Sequence, residues 1–170
     1  RLSGLWQPSP EELKLLPDFA EPVIEANRAT TGFPAVAGNR AALLPEDDSA
    51  IAALVEAIDG ATEHVHMLFY IWLDDPSGRS VAEAAVRAAG RGVKVRAIID
   101  AFGSRAFGRS DAWARMKAAG VECVEALPLS VPVIGGLFQR MDLRNHRKIV
   151  VIDHVLGFTG IDGEGQEGIE

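Results

Sequence analysis

SVAEAAVRAAGRGVKVRAIID, residues 80–100, is the stretch whose reading decides the fold. Its first half sets Val81, Ala84, Ala85 and Ala88 at the spacing of a helix with one apolar face, opened by Ser77 or Ser80. Gly90 is well placed to end that helix, because glycine takes the left-handed conformation of helix ends at no steric cost. Residues 93–100 then read as a strand. A helix that stops at a glycine and feeds directly into a strand is the second half of a crossover, which joins parallel strands.

The same rhythm extends on both sides. Upstream, Asp48 or Ser49 caps a helix carrying Ile51, Leu54, Val55 and Ile58 and ending near Gly60. Residues 64–71 follow, apolar on both faces as a strand covered on both sides would be. Downstream, 111–119 is a helix stopped by Gly120, and 121–125 a strand. These repeated helix–glycine–strand units predict the α/β class: a mixed, largely parallel sheet flanked by helices on both faces. Residues 148–152 give the strongest strand signal, and 155–159 a shorter one, with His154 near the turn between them. Residues 1–45, broken by Pro8, Pro10, Pro17, Pro22 and Pro34, read as an irregular lead-in. Within it a helix start at Ser9-Pro10-Glu11-Glu12 and a short helix over 21–29 are expected. The domain proper is 46–160, and 161–170 is an acidic, glycine-rich tail.

Composition narrows the function. With 170 residues, 48% hydrophobic and 24% charged, the chain is long enough for one domain with a real core. A net charge of −7 argues against non-specific coating of nucleic acid. One cysteine, Cys123, excludes an internal disulfide, and its place in Val121-Glu122-Cys123-Val124 reads as a small buried hydrophobe rather than a catalytic thiol. No run approaches the ~18 apolar residues of a membrane span. The start at Arg1 rather than methionine suggests a segment upstream, a membrane anchor among the candidates.

The chemistry concentrates in Asn145-His146-Arg147-Lys148-Ile149-Val150-Val151-Ile152-Asp153. Strand side chains alternate, so His146 and Lys148 share a face. An imidazole beside an ammonium suits phosphoryl chemistry: the ring nitrogen attacks phosphorus while the ammonium neutralises the non-bridging oxygens. Asn145 adds a hydrogen-bond donor for phosphate. Asp153, seven residues after His146, falls on the opposite face and is expected to be structural, pairing with a turn or a basic group. By chance this His-x-Lys-x-x-x-x-Asp spacing turns up in about one chain of this size in a hundred. Arg140, Arg144, Arg147 and Lys148 make the surroundings basic within an acidic chain, as a phosphodiester-binding mouth would be. Phe102, Phe107, Trp113, Leu137 and Phe138 are available to an acyl-chain path, though most are expected in the core. His64 and His66 lie two apart on a strand, but no further His or Cys at metal-ligand spacing accompanies them, so packing is the expectation and no metal is assigned.

The motif, followed by Gly157-Phe158-Thr159-Gly160, resembles the HKD signature of the phospholipase D superfamily, and within it bacterial cardiolipin synthases most of all. The likeness runs over about residues 31–160. It includes Thr31-Gly32-Phe33-Pro34 with Gly38-Asn39-Arg40, and His64 to Trp72 with Asp74-Asp75. Gly92-Val93-Lys94-Val95-Arg96 leading to Asp100 and Gly103-Ser104 completes it. The resemblance implies His146 as nucleophile, Lys148 and Asn145 as phosphate ligands, and Asp153 as the third motif residue, with no metal or organic cofactor. It also implies a phosphatidylglycerol substrate at a bacterial inner membrane, peripheral or cytoplasm-facing, and no nucleic acid partner. The family builds its site from two such motifs, and this chain has one, so it resembles an amino-terminal half. The second half would come from a homodimer or from a missing carboxy-terminal half. The family's asparagine after Gly160 is replaced by the run Ile161-Asp162-Gly163. A phospholipase or nuclease-type phosphodiesterase of the same superfamily, or an inactive truncated half, stays open on this reading.

Overall fold

The computed structural model describes residues 17, 20–33, 38–44, 47–128 and 146–160. The chain forms two compact units, Arg1–Leu43 and Leu44–Glu170. In the first, α1 (Ala20–Thr31) is longer than the expected 21–29 helix and has no buried residue. Its end is trimmed by Thr30 and Thr31, whose hydroxyls donate to the carbonyls of Ala26 and Asn27 at 2.7 and 2.8 Å. The helix start at Ser9-Pro10 and the tail 161–170 lie outside the described residues.

The second unit holds one five-stranded sheet: β1 (His64–Phe69), β2 (Lys94–Asp100), β3 (Glu122–Ala126), β4 (Lys148–Ile152) and β5 (Leu156–Gly160). Their order is β3-β2-β1-β4-β5. The strands joined through helices pair in parallel, β1 with β2 and β2 with β3. Strands β4 and β5 form a hairpin whose first strand runs antiparallel to β1. The class is α/β with a mixed sheet, as the glycine rhythm implies.

Helices α2 (Asp47–Gly60), α3 (Pro76–Gly90) and α4 (Asp111–Ala118) share one core with the sheet face carrying Val65, Met67, Val95, Ala97, Ile99, Val150 and Ile152. Ala84, Ala85, Ala88 and Ala97 are fully buried, and their small side chains let α3 lie close to β2. Trp72, Phe107 and Trp113 fill the space beyond, with the Trp72 and Phe107 rings stacked 4.6 Å apart. The other face presents Ile98, Val124 and Ile149 partly exposed, and among the described residues no helix of this unit packs there.

Local chemistry sets the ends of α3. Its cap is Asp75, whose carboxylate accepts from the Gly78 N–H at 2.7 Å, with Pro76 in the first turn. An aspartate followed by proline is a stronger start than Ser77 or Ser80, so the helix begins earlier than the apolar spacing suggests. At the other end Gly92, rather than Gly90, takes the left-handed conformation, at φ +89°.

The β4–β5 connection turns through Asp153 (φ 49°) and His154 (φ 60°), closed by the Val155 N–H donating to the Ile152 carbonyl at 3.1 Å. The Asp153 carboxylate reaches across to the start of β1. It accepts from the backbone N–H groups of Thr62, Glu63 and His64 at 2.8, 2.9 and 2.8 Å, and from the Thr62 hydroxyl at 2.9 Å. These donors, His64 N–H foremost, hold its carboxyl well below the usual carboxylate range.

Because the folded state favours the carboxylate, the stabilisation it lends is complete above the ordinary aspartate pKa of about 3.9 and drains away as pH falls below it. Asp153→Asn keeps a residue tolerant of positive φ but loses the charge. We expect it to melt several degrees lower at pH 7 by circular dichroism, with the gap to wild type closing as the pH is lowered below about 4.

Candidate active site

Lys148 opens β4 opposite Phe69, and His146 stands just before it. Lys148 is half-buried and His146 exposed. Because β4 starts only at Lys148, the ladder does not hold His146 in place. A ring does: the imidazole lies flat on the phenol of Tyr70, centroids 3.9 Å apart and planes 17° from parallel. Such a stack fixes the ring plane while leaving the edge nitrogens of the imidazole free to meet a substrate.

Tyr70 is held in turn by the loop after β2. The Ser104 hydroxyl donates to the Tyr70 carbonyl at 2.9 Å and accepts from the Trp72 N–H at 2.9 Å. Ser104 itself is 1% exposed. Asp100, also buried, accepts from the N–H groups of Phe102 and Gly103 at 2.9 and 3.0 Å and shapes the turn that presents Ser104. Gly103 leaves room for this contact: a Cβ there would meet the Tyr70 carbonyl at 2.5 Å. Further along, the Trp72 indole N–H donates to the Gly78 carbonyl at 2.9 Å, which ties the same segment to the start of α3. Asp74 holds Arg79 through a double contact at 2.7 and 3.1 Å.

Of the residues singled out from sequence, the structure brings His146 and Lys148 to one end of the β1–β4 pair. It places Asp153 at the other end, roughly 20 Å from His146 at about 3.3 Å per strand residue. Asn145, Arg140, Arg144, Leu137 and Phe138 lie outside the described residues. Phe107 and Trp113 are core, and Phe102 is 45% exposed. Cys123 lies half-buried, and burial pushes its thiol up to about 11, so it carries no thiolate at neutral pH.

Tyr70 and Ser104 went unassigned in the sequence. Tyr70 reads there as one more apolar position of a strand over 64–71, but the strand ends at Phe69, and this frees Tyr70 to turn towards His146. The available signal was the separate segment Asp100 to Ser104, a cluster of turn-forming residues after a strand.

At the far end of β1 the rings of His64, His66 and His154 gather, His64 lying 4.6 Å from His66 and 3.9 Å from His154. Burial lowers the His66 pKa, and the charges of His64, Arg96 and His154 push the same way.

His146, just before β4, and Lys148, its first residue, thus stand at one end of a mixed five-stranded sheet. The family described as cardiolipin synthase, PLD-like domain, matches residues 54–161. Cardiolipin synthase A of Proteus mirabilis (strain HI4320) is 41% identical over 143 residues, 84% of this chain and 29% of that protein. Cardiolipin synthase A of Edwardsiella ictaluri (strain 93-146) is 40% identical over 143 residues, with the same two shares, 84% and 29%. Among solved structures, the phospholipase D family member Nuc from Salmonella typhimurium superposes with a TM-score of 0.42 at 23% identity, covering 64% of this chain and 60% of that one. The chain belongs to the cardiolipin synthase, PLD-like domain family. It spans 29% of the length of these curated relatives.

Ser104→Ala leaves the buried Trp72 N–H without its acceptor. Urea unfolding is expected to show a loss of about 1–3 kcal/mol, the cost of an orphaned buried donor.

Proposed function

We propose that this chain carries one half of a phosphatidyl-transfer site of cardiolipin synthase type, with His146 as nucleophile. The observation that carries the reading is the His146–Tyr70 stack, two residues before Lys148. It holds an exposed imidazole in one plane beside a cation, in a chain that is family-matched over this region.

In the proposed reaction an imidazole nitrogen of His146 attacks the phosphorus of phosphatidylglycerol and the P–O bond to the head-group glycerol breaks. The ammonium of Lys148, with Asn145, stabilises the charge on the non-bridging oxygens. The glycerol oxygen leaves with a proton supplied by the histidine of a second motif. That second histidine then takes the proton from the hydroxyl of another phosphatidylglycerol, whose oxygen attacks the phosphohistidine and releases His146. The sum is two phosphatidylglycerols to cardiolipin and glycerol, with no cofactor. Asp153 acts through the fold rather than on substrate.

The second motif comes either from a second copy of this chain or from a carboxy-terminal half. The short share of the relatives' length supports the latter. The site works at a membrane surface, where its substrate resides. Among the described residues no helix is long and apolar enough to cross a membrane.

The test is a product assay with phosphatidylglycerol in mixed micelles, run on the chain alone and with a second motif-bearing half, beside His146→Asn. Cardiolipin identified by mass spectrometry and lost in the variant is the expected result. Phosphatidic acid in its place would make water the acceptor. Cardiolipin still formed by His146→Asn would overturn the role of His146.

A further inference from the structure

At the pole of the sheet away from His146, the imidazole of His64 is 6% exposed, and its Nε2 is buried without a hydrogen-bond partner among the described residues. A buried imidazole nitrogen left unpaired is costly, so the position calls for a ligand. Two further donors converge on it. Glu63, exposed at the start of β1, and His154, exposed in the β4–β5 turn, each bring a ligand atom so that, with His64, all three lie within 4.8 Å of one another. His66, the neighbour a sequence reading would choose, is engaged elsewhere, its Nε2 being 3.1 Å from Arg96 Nη1.

The backbone around these donors is fixed independently of them. Asp153 binds the N–H groups of both Glu63 and His64, and its own N–H donates to the His64 carbonyl at 3.1 Å. His154 holds a left-handed conformation, φ 60°, at a turn position where glycine or asparagine is the usual occupant. An imidazole kept there is aimed at His64, with ring centroids 3.9 Å apart.

We propose that Glu63, His64 and His154 bind a divalent transition-metal ion, Zn²⁺ above others, as a structural staple between the β4–β5 turn and the start of β1. Two imidazoles and a carboxylate are a zinc donor set, with the fourth position taken by water. Bonds of about 2.0–2.1 Å in a tetrahedron need donors about 3.4 Å apart. Side-chain rotation of exposed Glu63 and turn-borne His154 supplies that contraction, with the buried His64 as the fixed anchor. Spacing along the sequence hides the set, since His154 lies ninety residues from His64 and meets it only through the β1–β4 pairing.

The experiment titrates the purified, metal-stripped full chain with Co²⁺ and then Zn²⁺, following the visible absorption of four-coordinate Co²⁺ and the melting temperature. We expect one ion per chain, displacement of Co²⁺ by Zn²⁺, and a melting temperature that climbs by several degrees with Zn²⁺. His154→Gly, free to keep the turn at positive φ, should weaken binding by about tenfold or more, since even outer-sphere losses cost that much. Glu63→Gln, at an exposed position, should weaken it likewise, and a far-ultraviolet spectrum shows that both variants remain folded. His146→Asn should bind as wild type does. Absence of saturable binding by the wild type would overturn the proposal, as would affinity unchanged in both ligand variants or lost only with His146.

Discussion

The carboxylate of Asp153, held by three backbone amides and a hydroxyl at the start of β1, fixes where β4 lies along β1, and the other end of the strand pair depends on that register. A slip of one residue would send Val150 and Ile152 from the core to the open face and reverse the side on which Lys148 points. In the register observed, Ile152 faces Val65 and Lys148 faces Phe69. His146 then comes to rest against Tyr70 just past the last pair. The His-x-Lys-x-x-x-x-Asp spacing therefore measures a strand: Lys148–Ile152 is β4, the aspartate is the first residue of the turn beyond it, and the histidine stands two residues before it. Three residues grouped by one motif name thus stand at opposite ends of one strand.

A second device acts from the neighbouring strand. The turn after β2 places Ser104 between the Tyr70 carbonyl and the Trp72 N–H, so two main-chain groups just beyond β1 are satisfied without a ladder partner. This matters because a segment leaving a sheet in a buried setting must find its hydrogen bonds elsewhere. Gly103 permits the approach, and the stacked indole of Trp72 and ring of Phe107 lock the segment to the helix-bearing face. The shelf under His146 is thus built from the segments that leave β1 and β2, while His146 itself stands just before the last hairpin.

Much of the fold was legible because it is written in local pattern. The alanines of α3, the left-handed Gly120 after α4, and the β-branched run of β4 each act within a few residues, so spacing alone locates these elements. Asp153 was legible as a residue that pairs with structure rather than with His146, but its partners were not, since Thr62, Glu63 and His64 lie some ninety residues earlier. Sequence separation likewise conceals the Glu63, His64 and His154 cluster and the Tyr70 stack on His146. Helix ends went astray where capping outweighs apolar periodicity, as with Asp75-Pro76.

These observations join into one account: a register-locking aspartate, an aromatic shelf, and an imidazole held flat beside a lysine as the proposed nucleophile. Its central claim is that His146 forms the covalent bond to phosphorus. The most direct measurement is to expose the protein, completed by a second motif-bearing half, to phosphatidylglycerol. The reaction is quenched in alkaline denaturant, which preserves the acid-labile bond between phosphorus and imidazole, and the modified peptide is mapped by mass spectrometry. The account predicts a phosphatidyl group on His146 that appears and decays at the rate of turnover. Turnover with the label on another residue, or with His146 never labelled, would contradict it.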